Sequence, residues 1–233
     1  MRSGSRVNDI GGTADDPLTA TEPPYFTRAG FDPRPNFTRA MLDDLVATLP
    51  AARYDGNVLS LGVYRGELRR AIHHMKYRNA RWIAAYFGKS LAAAHSAAVG
   101  AAHCTVARSD SLRPLLVTWA PTTSRRIRTR GHDQSGVIAS AFARSLRVRC
   151  VRTLRRIDHN TQTGSTRESR KRGPQFVVRA RVVRGRTIVL IDDVTTTGTT
   201  LVRARDALLA AGALEVRCAV IAHVRARHPS RVG

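Results

Sequence analysis

The apolar and polar positions along the chain change spacing repeatedly, and each spacing predicts a type of secondary structure. Short apolar or alternating runs predict strands at 58–64, 114–121, 151–154, 176–178, 187–193 and 216–224. Apolar residues three or four positions apart predict helices at 41–49, 67–76, 81–99, 132–147 and from about 199 to 211. Since strands alternate with helices, we expect an α/β fold with a central, mostly parallel sheet flanked by helices.

The same pattern divides the chain into an extension and one main domain. Residues 1–40 are rich in Gly, Pro, Thr and Asp and lack periodicity, which predicts a flexible N-terminal extension. A short helix and a linker follow at 41–53, and Met41 is an alternative start of translation. The main domain is predicted at 54–228, with a tail at 229–233.

The composition excludes several classes of protein. Of the 233 residues, 42% are hydrophobic, so the chain can bury a core. It has no run of about 18 apolar residues that would span a membrane, and its N-terminus lacks the apolar core of a secretion signal, so we expect a cytoplasmic protein. Cys104, Cys150 and Cys218 lie far apart, which argues against a disulfide framework and against a zinc site.

The charge is strongly positive and unevenly distributed. Lys and Arg number 39 against 17 Asp and Glu, a formal charge of +22, and residues 122–186 hold 18 of the basic groups with 3 of the acids. Abundant Arg, Ala, Val and Gly are expected from a GC-rich genome, so many of these arginines would simply be solvated. The alternative is a surface that meets phosphate groups, and composition leaves both interpretations open.

One segment, IVLIDDVTTTGTTL at 188–201, combines residues that suit a phosphorylated sugar. An apolar strand ends in Asp192 and Asp193, and a Thr/Gly turn then leads into a helix, at the sheet edge where α/β folds bind ligands. Threonine hydroxyls, a close backbone approach at Gly198 and the first amides of the helix would hold a phosphate. The two carboxylates would repel that phosphate, so they suit ribose hydroxyls and a divalent cation.

The segment also has a purely structural interpretation, in which its Asp and Thr side chains only cap the helix. A cap needs one such residue, whereas this turn has two acids and five threonines around Gly198. We therefore favour a ligand that carries a sugar between a phosphate and a metal-bound anion.

The segment resembles the 5-phosphoribosyl-1-diphosphate (PRPP) signature of type I phosphoribosyltransferases. In that family the acidic pair lies at the ribose hydroxyls and the metal, and the Thr/Gly loop holds the 5-phosphate. The resemblance implies catalytic roles for Asp192 and Asp193, which would also hold Mg²⁺, partly through the ligand or water. It implies a 5-phosphate site at Thr195, Thr196, Thr197, Gly198, Thr199 and Thr200.

Three further segments resemble motifs of the ComF family, so that the similarity covers residues 54–224. They are YRGELRRAIHHMKYR at 64–78, RGHDQSGVIASAFA at 130–143 and TQTGSTRESRKRGPQFVV at 161–178. In the second, His132 and Asp133 replace the family's Phe and Asn. ComF proteins usually carry a four-Cys zinc ribbon before the first motif, but no Cys precedes Cys104 here, so no zinc is expected.

The resemblance also assigns the remaining parts of the predicted site. WAPTTSRRIRTRG at 119–131 corresponds to the loop that binds diphosphate, which implies a site formed by Thr122, Thr123, Arg125, Arg126 and Arg130, the alternative being a solvated basic loop. Residues at about 155–175 would form a flexible loop that closes over PRPP, or a disordered basic loop. Residues at about 54–80 would form a small hood subdomain, in which Lys76 would contact a phosphate or the acceptor, or lie on a solvated helix face.

Two functions follow from the resemblance. The first is a phosphoribosyltransferase that moves a phosphoribosyl group from PRPP to a nitrogenous acceptor and releases diphosphate, with Mg²⁺ as cofactor. The second is a non-catalytic ComF-type competence protein that binds single-stranded DNA or senses nucleotides. The basic segment suits the second function, whereas aromatic residues for base stacking are only 6% of the chain. The acceptor and the oligomeric state, a homodimer included, stay open.

Overall fold

The structure, a computed structural model, describes residues 36–78, 80–103, 115–157 and 174–224. The helices are α1 (Arg39–Thr48), α2 (Gly66–Tyr77), α3 (Arg81–His103), α4 (Ser124–Arg130), α5 (Gln134–Ser145), α6 (Ala180–Val183) and α7 (Thr199–Ala210). The strands are β1 (Tyr54–Asp55), β2 (Val58–Val63), β3 (Leu115–Trp119), β4 (Arg149–Cys150), β5 (Leu154–Ile157), β6 (Gln175–Val178), β7 (Thr187–Thr195) and β8 (Glu215–His223). No helix among these residues is long and apolar enough to cross a membrane.

The central sheet has six strands in the order β1-β2-β8-β7-β3-β4. Strand β1 is antiparallel to β2, whereas β2, β8, β7, β3 and β4 all run parallel. Strands β5 and β6 form a separate antiparallel pair. The predicted α/β fold with a mostly parallel sheet flanked by helices is therefore confirmed.

Strand β7 divides the hydrophobic core into two layers, because its successive side chains point to opposite faces of the sheet. Val189 and Ile191 belong to the layer that contains apolar side chains of α1, α2, α3 and α5. Ile188 and Leu190 belong to the layer that contains apolar side chains of α7. Burial on both faces explains why this strand is a continuous apolar run in the sequence.

The sheet brings the segments that follow β3 and β7 to one edge. These strands are parallel neighbours with Trp119 opposite Ile191. The amide of Ala120 continues the pairing by donating to the carbonyl oxygen of Ile191 at 2.9 Å. The loop after β3 therefore begins directly beside the acidic pair at the end of β7.

The segment at 119–131, predicted to form a loop, is helical at Ser124–Arg130. The Thr123 hydroxyl accepts a hydrogen bond from the amide of Arg126 at 3.3 Å and caps the start of α4. Gly131 ends the helix in a left-handed conformation with φ 74°. The prediction was wrong because an Arg-rich run has no apolar periodicity, although its cap and its terminating glycine are both present in the sequence.

The strand predicted at 151–154 is also misplaced. Residues 149–150 pair with β3, and β5 begins only at Leu154. Between them, the amide of Val151 donates to the carbonyl oxygen of Val117 in β3 at 2.9 Å. The amide and hydroxyl of Thr153 both donate to the hydroxyl of Thr118, at 3.2 and 2.8 Å, so a side chain of β3 takes the place of a backbone acceptor at Thr153.

Two predicted flexible segments begin or end with regular structure. Residues 155–157 of the predicted loop belong to β5, while 158–173 lie outside the described residues. At the other end of the chain, Arg39 and Ala40 of the predicted extension belong to α1, because the Thr38 hydroxyl caps that helix by accepting from the amide of Met41. Residues 1–35 lie outside the described residues, so the prediction for them stays a prediction.

Close packing of α3 on α5 gives a test of this fold at Gly88. A Cβ atom there would lie 2.5 Å from the carbonyl oxygen of Ile138 and 2.8 Å from Cβ of Ala141. Because the helix backbone cannot swing aside as a flexible side chain can, we expect Gly88→Ala to lower the free energy of unfolding by about 1–3 kcal/mol. Urea denaturation measures this change.

Gly100→Ala in the same helix is the matched control. Among the described residues, no atom outside this helix lies within 4 Å of the added Cβ, so we expect the substitution to stabilise the helix by up to about 1 kcal/mol. Equal stabilities for the two variants would contradict the packing of α3 on α5.

Candidate functional site

A cavity of about 320 Å³ opens at the sheet edge where β3 and β7 end. The predicted site residues that line it are Lys76, Thr122, Arg126, Asp192, Asp193, Thr196 and Thr200. These residues come from α2, the loop after β3, α4, β7 and the start of α7. The fold therefore assembles at one place the acidic, hydroxyl and basic groups that the sequence analysis assigned to one ligand.

Asp193 is bound by a lysine from another element. The Lys76 ammonium nitrogen in α2 lies 2.8 Å from Oδ2 of Asp193, and each side chain is only 16% exposed. The amide of Val194 donates to Oδ1 of the same carboxylate at 2.6 Å. Both oxygens of Asp193 thus have partners. Lys76 was expected to contact a phosphate or the acceptor, or to lie on a solvated helix face, but it contacts an acid of the site instead.

Asp192 is held on one side and open on the other. Its Oδ1 accepts hydrogen bonds from the Ser135 hydroxyl at 2.9 Å and from the amide of Asp193 at 2.8 Å. No donor among the described residues is bonded to Oδ2. Within the acidic pair, Oδ2 of Asp192 is therefore the oxygen that remains for a ligand.

Burial and a neighbouring negative charge act together on Asp192. Burial, followed by the charge of Asp193, raises the pKa of Asp192 from 3.8 to about 7. The hydrogen bonds from the amide of Asp193 and from Ser135, and the charge of Lys76, act in the opposite direction without outweighing the first two. Since Lys76 pairs with Asp193 directly, we assign the retained proton of the pair to Asp192.

The Thr/Gly turn leads from β7 into α7 through a left-handed glycine. Gly198 has φ 74° and is the N-cap of α7, so the cap residue itself offers no side-chain acceptor to the first amides of the helix. The Thr197 hydroxyl accepts from one of them, the amide of Thr199, in a long hydrogen bond of 3.5 Å. An anion at this helix start would satisfy those amides and interact favourably with the helix dipole.

The predicted phosphate-binding threonines do not all have the same surroundings. Thr196 and Thr200 line the cavity. Thr197 and Thr199 are exposed, and their hydroxyls lie 2.9 Å apart in a hydrogen bond with each other. Thr195 is the last residue of β7 and its carbonyl oxygen accepts from the amide of Val224.

The loop after β3 is tied to the start of α5. Oδ2 of Asp133 accepts hydrogen bonds from the indole nitrogen of Trp119 at 3.1 Å and from the amide of Thr122 at 3.4 Å. Burial raises the pKa of Asp133 above its usual value, and these two hydrogen bonds lower it. Of the residues predicted to bind diphosphate, Thr122 and Arg126 line the cavity and Thr123 caps α4. The side chains of Arg125 and Arg130 lie outside the described residues.

Eight further cavity residues were not assigned to the site from the sequence. Four of them are Asp133, Gln134 and Ser135 at the start of α5, and Arg156 in β5; the others are Tyr64, Ala120, Pro121 and Val194. Gln134 and Ser135 are only 2% and 4% exposed, which is unusual for polar residues at the start of a helix. Their sequence signal was weak, because polar residues before an apolar-periodic stretch are typical of an ordinary helix cap.

The described residues contain no group of three or more His, Cys, Asp or Glu side chains that could hold a metal ion. Among these residues, no set of side chains therefore forms a complete protein cage for a cation. Mg²⁺ often binds through one or two carboxylates, several waters and the phosphates of a substrate, and the open Oδ2 of Asp192 fits that mode of binding.

A larger cavity, of about 690 Å³, lies between α1, β2 and the start of α2 and reaches His223. Among the described residues it shares no lining residue with the cavity at the acidic pair. The larger cavity therefore holds none of the predicted phosphate-binding groups.

Comparison with known families finds a match in the C-terminal part of the chain. Residues 132–231, somewhat less than half of the protein, match the model of the phosphoribosyl transferase domain. This region includes the acidic pair, the Thr/Gly turn and the start of α5. The match supports a phosphoribosyltransferase-like domain here, while no curated protein sequence matches the chain.

Solved structures give weaker likenesses. Glutamine PRPP amidotransferase from B. subtilis, complexed with ADP and GMP, is 20% identical over 59% of this chain and 25% of its own, with a TM-score of 0.38. A hypothetical protein from Neisseria gonorrhoeae with bound ppGpp is 14% identical over 64% of this chain and 74% of its own, with a TM-score of 0.37. A hypoxanthine phosphoribosyltransferase from Staphylococcus aureus is 10% identical over 63% and 71%, with a TM-score of 0.37. These scores are too low to support a statement about substrate or mechanism.

The raised pKa of Asp192 predicts how its removal changes stability with pH. Because the folded carboxyl keeps its proton to a higher pH than the unfolded one, this group disfavours the folded state increasingly as the pH rises from 3.8 to about 7. Asp192→Asn removes that effect. The free energy of unfolding of the variant, relative to that of wild type, should therefore increase by more than about 1 kcal/mol as the pH is raised from 3.8 to 8. Urea denaturation across this pH range measures the difference.

Asp206→Asn is the matched control, since Asp206 is an exposed aspartate of α7. The stability of this variant relative to wild type should change little over the same pH range. A pH-independent difference for Asp192→Asn would contradict the account of the acidic pair.

Proposed function

We propose that this chain is a phosphoribosyltransferase-like protein that binds PRPP with Mg²⁺ and transfers its phosphoribosyl group to a nitrogenous acceptor, with release of diphosphate. The observation that carries the proposal is one cavity lined by Asp192, by Thr196 and Thr200, and by Arg126. A sugar with a phosphate at one end and a diphosphate at the other has complementary groups for each of these side chains. The match of residues 132–231 to the phosphoribosyl transferase domain supports the same chemistry.

The ligand would lie across the cavity from the Thr/Gly turn to the loop after β3. Its 5-phosphate would bind at Thr196 and Thr200 and at the first amides of α7. A ribose hydroxyl would donate to Oδ2 of Asp192. The diphosphate would bind toward Thr122 and Arg126, where a guanidinium offers paired donors to phosphate oxygens.

In the transfer step, the acceptor nitrogen would form a bond to C1 of the ribose while the bond from C1 to the diphosphate oxygen breaks. The electron pair of the broken bond leaves with the diphosphate, so negative charge increases beside Arg126 and Arg156. These side chains would stabilise the departing anion, and the Thr/Gly turn and Asp192 would keep the ribose fixed. When bound, Mg²⁺ would neutralise charge on the diphosphate, and Asp192 and Asp193 would hold it through the ligand or water.

The ion pair of Lys76 and Asp193 makes the roles of the two acids unequal. Asp193 is compensated by a cation of the protein, so its charge contributes less to cation binding than that of Asp192. We therefore assign the direct contact with the ribose to Asp192, and the fixing of α2 against the end of β7 to Asp193.

Titration calorimetry with PRPP and Mg²⁺ tests the proposed function. Wild type should bind, and Asp192→Asn should bind about tenfold more weakly or worse, because a charged acceptor is replaced by a neutral one. Affinity of wild type should also rise as the pH increases through about 7, since the ionised form of Asp192 is the better acceptor and metal ligand.

Asp206→Asn again serves as the control, and its affinity should equal that of wild type. No binding of PRPP to wild type at millimolar concentrations would overturn the proposed function. Wild-type affinity in Asp192→Asn would overturn the assignment of the ribose contact.

A further inference from the structure

The start of α5 contacts three separate parts of the cavity wall. Asp133 accepts from Trp119 and from the amide of Thr122, in the loop after β3. The side-chain amide of Gln134 lies 3.5 Å from the carbonyl oxygen of Lys76, in α2. The hydroxyl of Ser135 donates to Asp192, at the end of β7. Three consecutive residues thus connect the diphosphate loop, α2 and the acidic pair.

Ser135 differs from the other serines of the same helix. The hydroxyls of Ser140 and Ser145 donate to carbonyl oxygens four residues earlier in α5, Gly136 and Ala141, which is the usual local bond of a helical serine. The Ser135 hydroxyl instead donates at 2.9 Å to a carboxylate in β7. Since Ser135 is only 4% exposed, this hydrogen bond competes little with water.

The start of α5 is held rigidly enough to orient a partner. Gly136 lies against the indole of Trp119, so closely that a Cβ atom there would be 3.2 Å from the ring. Trp119 is in turn hydrogen-bonded to Asp133. The Ser135 hydroxyl is thus presented from a helix end that is packed and hydrogen-bonded to the end of β3.

We propose that Ser135 is a positioning residue for ribose recognition: its hydroxyl holds Oδ1 of Asp192 and thereby turns Oδ2 toward the ribose hydroxyls. This proposal rests on the binding of a ribose phosphate proposed above. Ser135 lies outside the acidic pair and the Thr/Gly turn, yet it would orient the oxygen of Asp192 that accepts from the ribose. The two hydrogen bonds to Oδ1 fix the orientation of the Asp192 carboxylate. They therefore also fix the direction in which Oδ2 points.

Loss of the Ser135 hydroxyl would leave Asp192 less firmly oriented. Among the described residues, only the amide of Asp193 would then donate to Oδ1. The phosphate-binding end of the cavity, at Thr196 and Thr200, is not contacted by Ser135 in these hydrogen bonds.

The test compares ribose 5-phosphate with inorganic phosphate in titration calorimetry of the full chain. Ser135→Ala should weaken binding of ribose 5-phosphate about tenfold, the usual effect of losing a hydrogen bond to a charged group, and should leave the binding of inorganic phosphate unchanged. Ser145→Ala, a serine of the same helix with a local hydrogen bond, should match wild type for both ligands.

The outcomes separate this inference from the proposed function. If wild type binds neither PRPP nor ribose 5-phosphate, the proposed function fails and the inference fails with it. If wild type binds them and Ser135→Ala binds ribose 5-phosphate equally well, only the inference is overturned. Equal weakening for ribose 5-phosphate and inorganic phosphate would also overturn it, because that pattern indicates a general disturbance of the cavity. Thermal unfolding of Ser135→Ala confirms that the variant is folded.

Discussion

Two adjacent carboxylates, Asp192 and Asp193, lie in a partly buried cavity at the end of β7, and contacts from several elements compensate their charge. A buried charge is costly unless it is paired or hydrogen-bonded. Lys76 of α2 pairs with Asp193, Ser135 of α5 donates to Asp192, and the backbone of β7 supplies two further amides. The remaining cost of burying Asp192 beside a second carboxylate appears as its raised pKa.

The same contacts determine what the cavity can recognise. With Asp193 compensated and Oδ1 of Asp192 occupied by described donors, one oxygen of the acidic pair is left for a ligand. It lies in the same cavity as the helix start that attracts phosphate and as Arg126. A small ligand that carries hydroxyls between two anionic ends satisfies this arrangement. A polymer such as single-stranded DNA has no need for the acidic pair, and its binding to the Arg-rich segment stays a prediction from the charge alone.

The parts of this site that follow from local pattern were predictable. Strand β7, the acidic pair and the turn at Gly198 form one continuous segment, and parallel pairing of β3 with β7 brings Thr122 and Arg126 beside it. The Lys76–Asp193 ion pair was not predictable, because it depends on how α2 packs over the sheet. Nor were the roles of Gln134 and Ser135, since a polar helix start gives no sign of which tertiary partners it contacts. Two predicted elements also differ from the structure: a local cap at Thr123 starts a helix, and Thr153 bonds to the distant Thr118.

A crystal structure with bound ribose 5-phosphate would test the central claim most directly. The account predicts the phosphate at Thr196, Thr200 and the first amides of α7, with a ribose hydroxyl within hydrogen-bonding distance of Oδ2 of Asp192. It also predicts that the Ser135 hydroxyl keeps its bond to Oδ1. Ribose 5-phosphate in the larger cavity between α1 and β2, or with its phosphate away from the Thr/Gly turn, would contradict the claim.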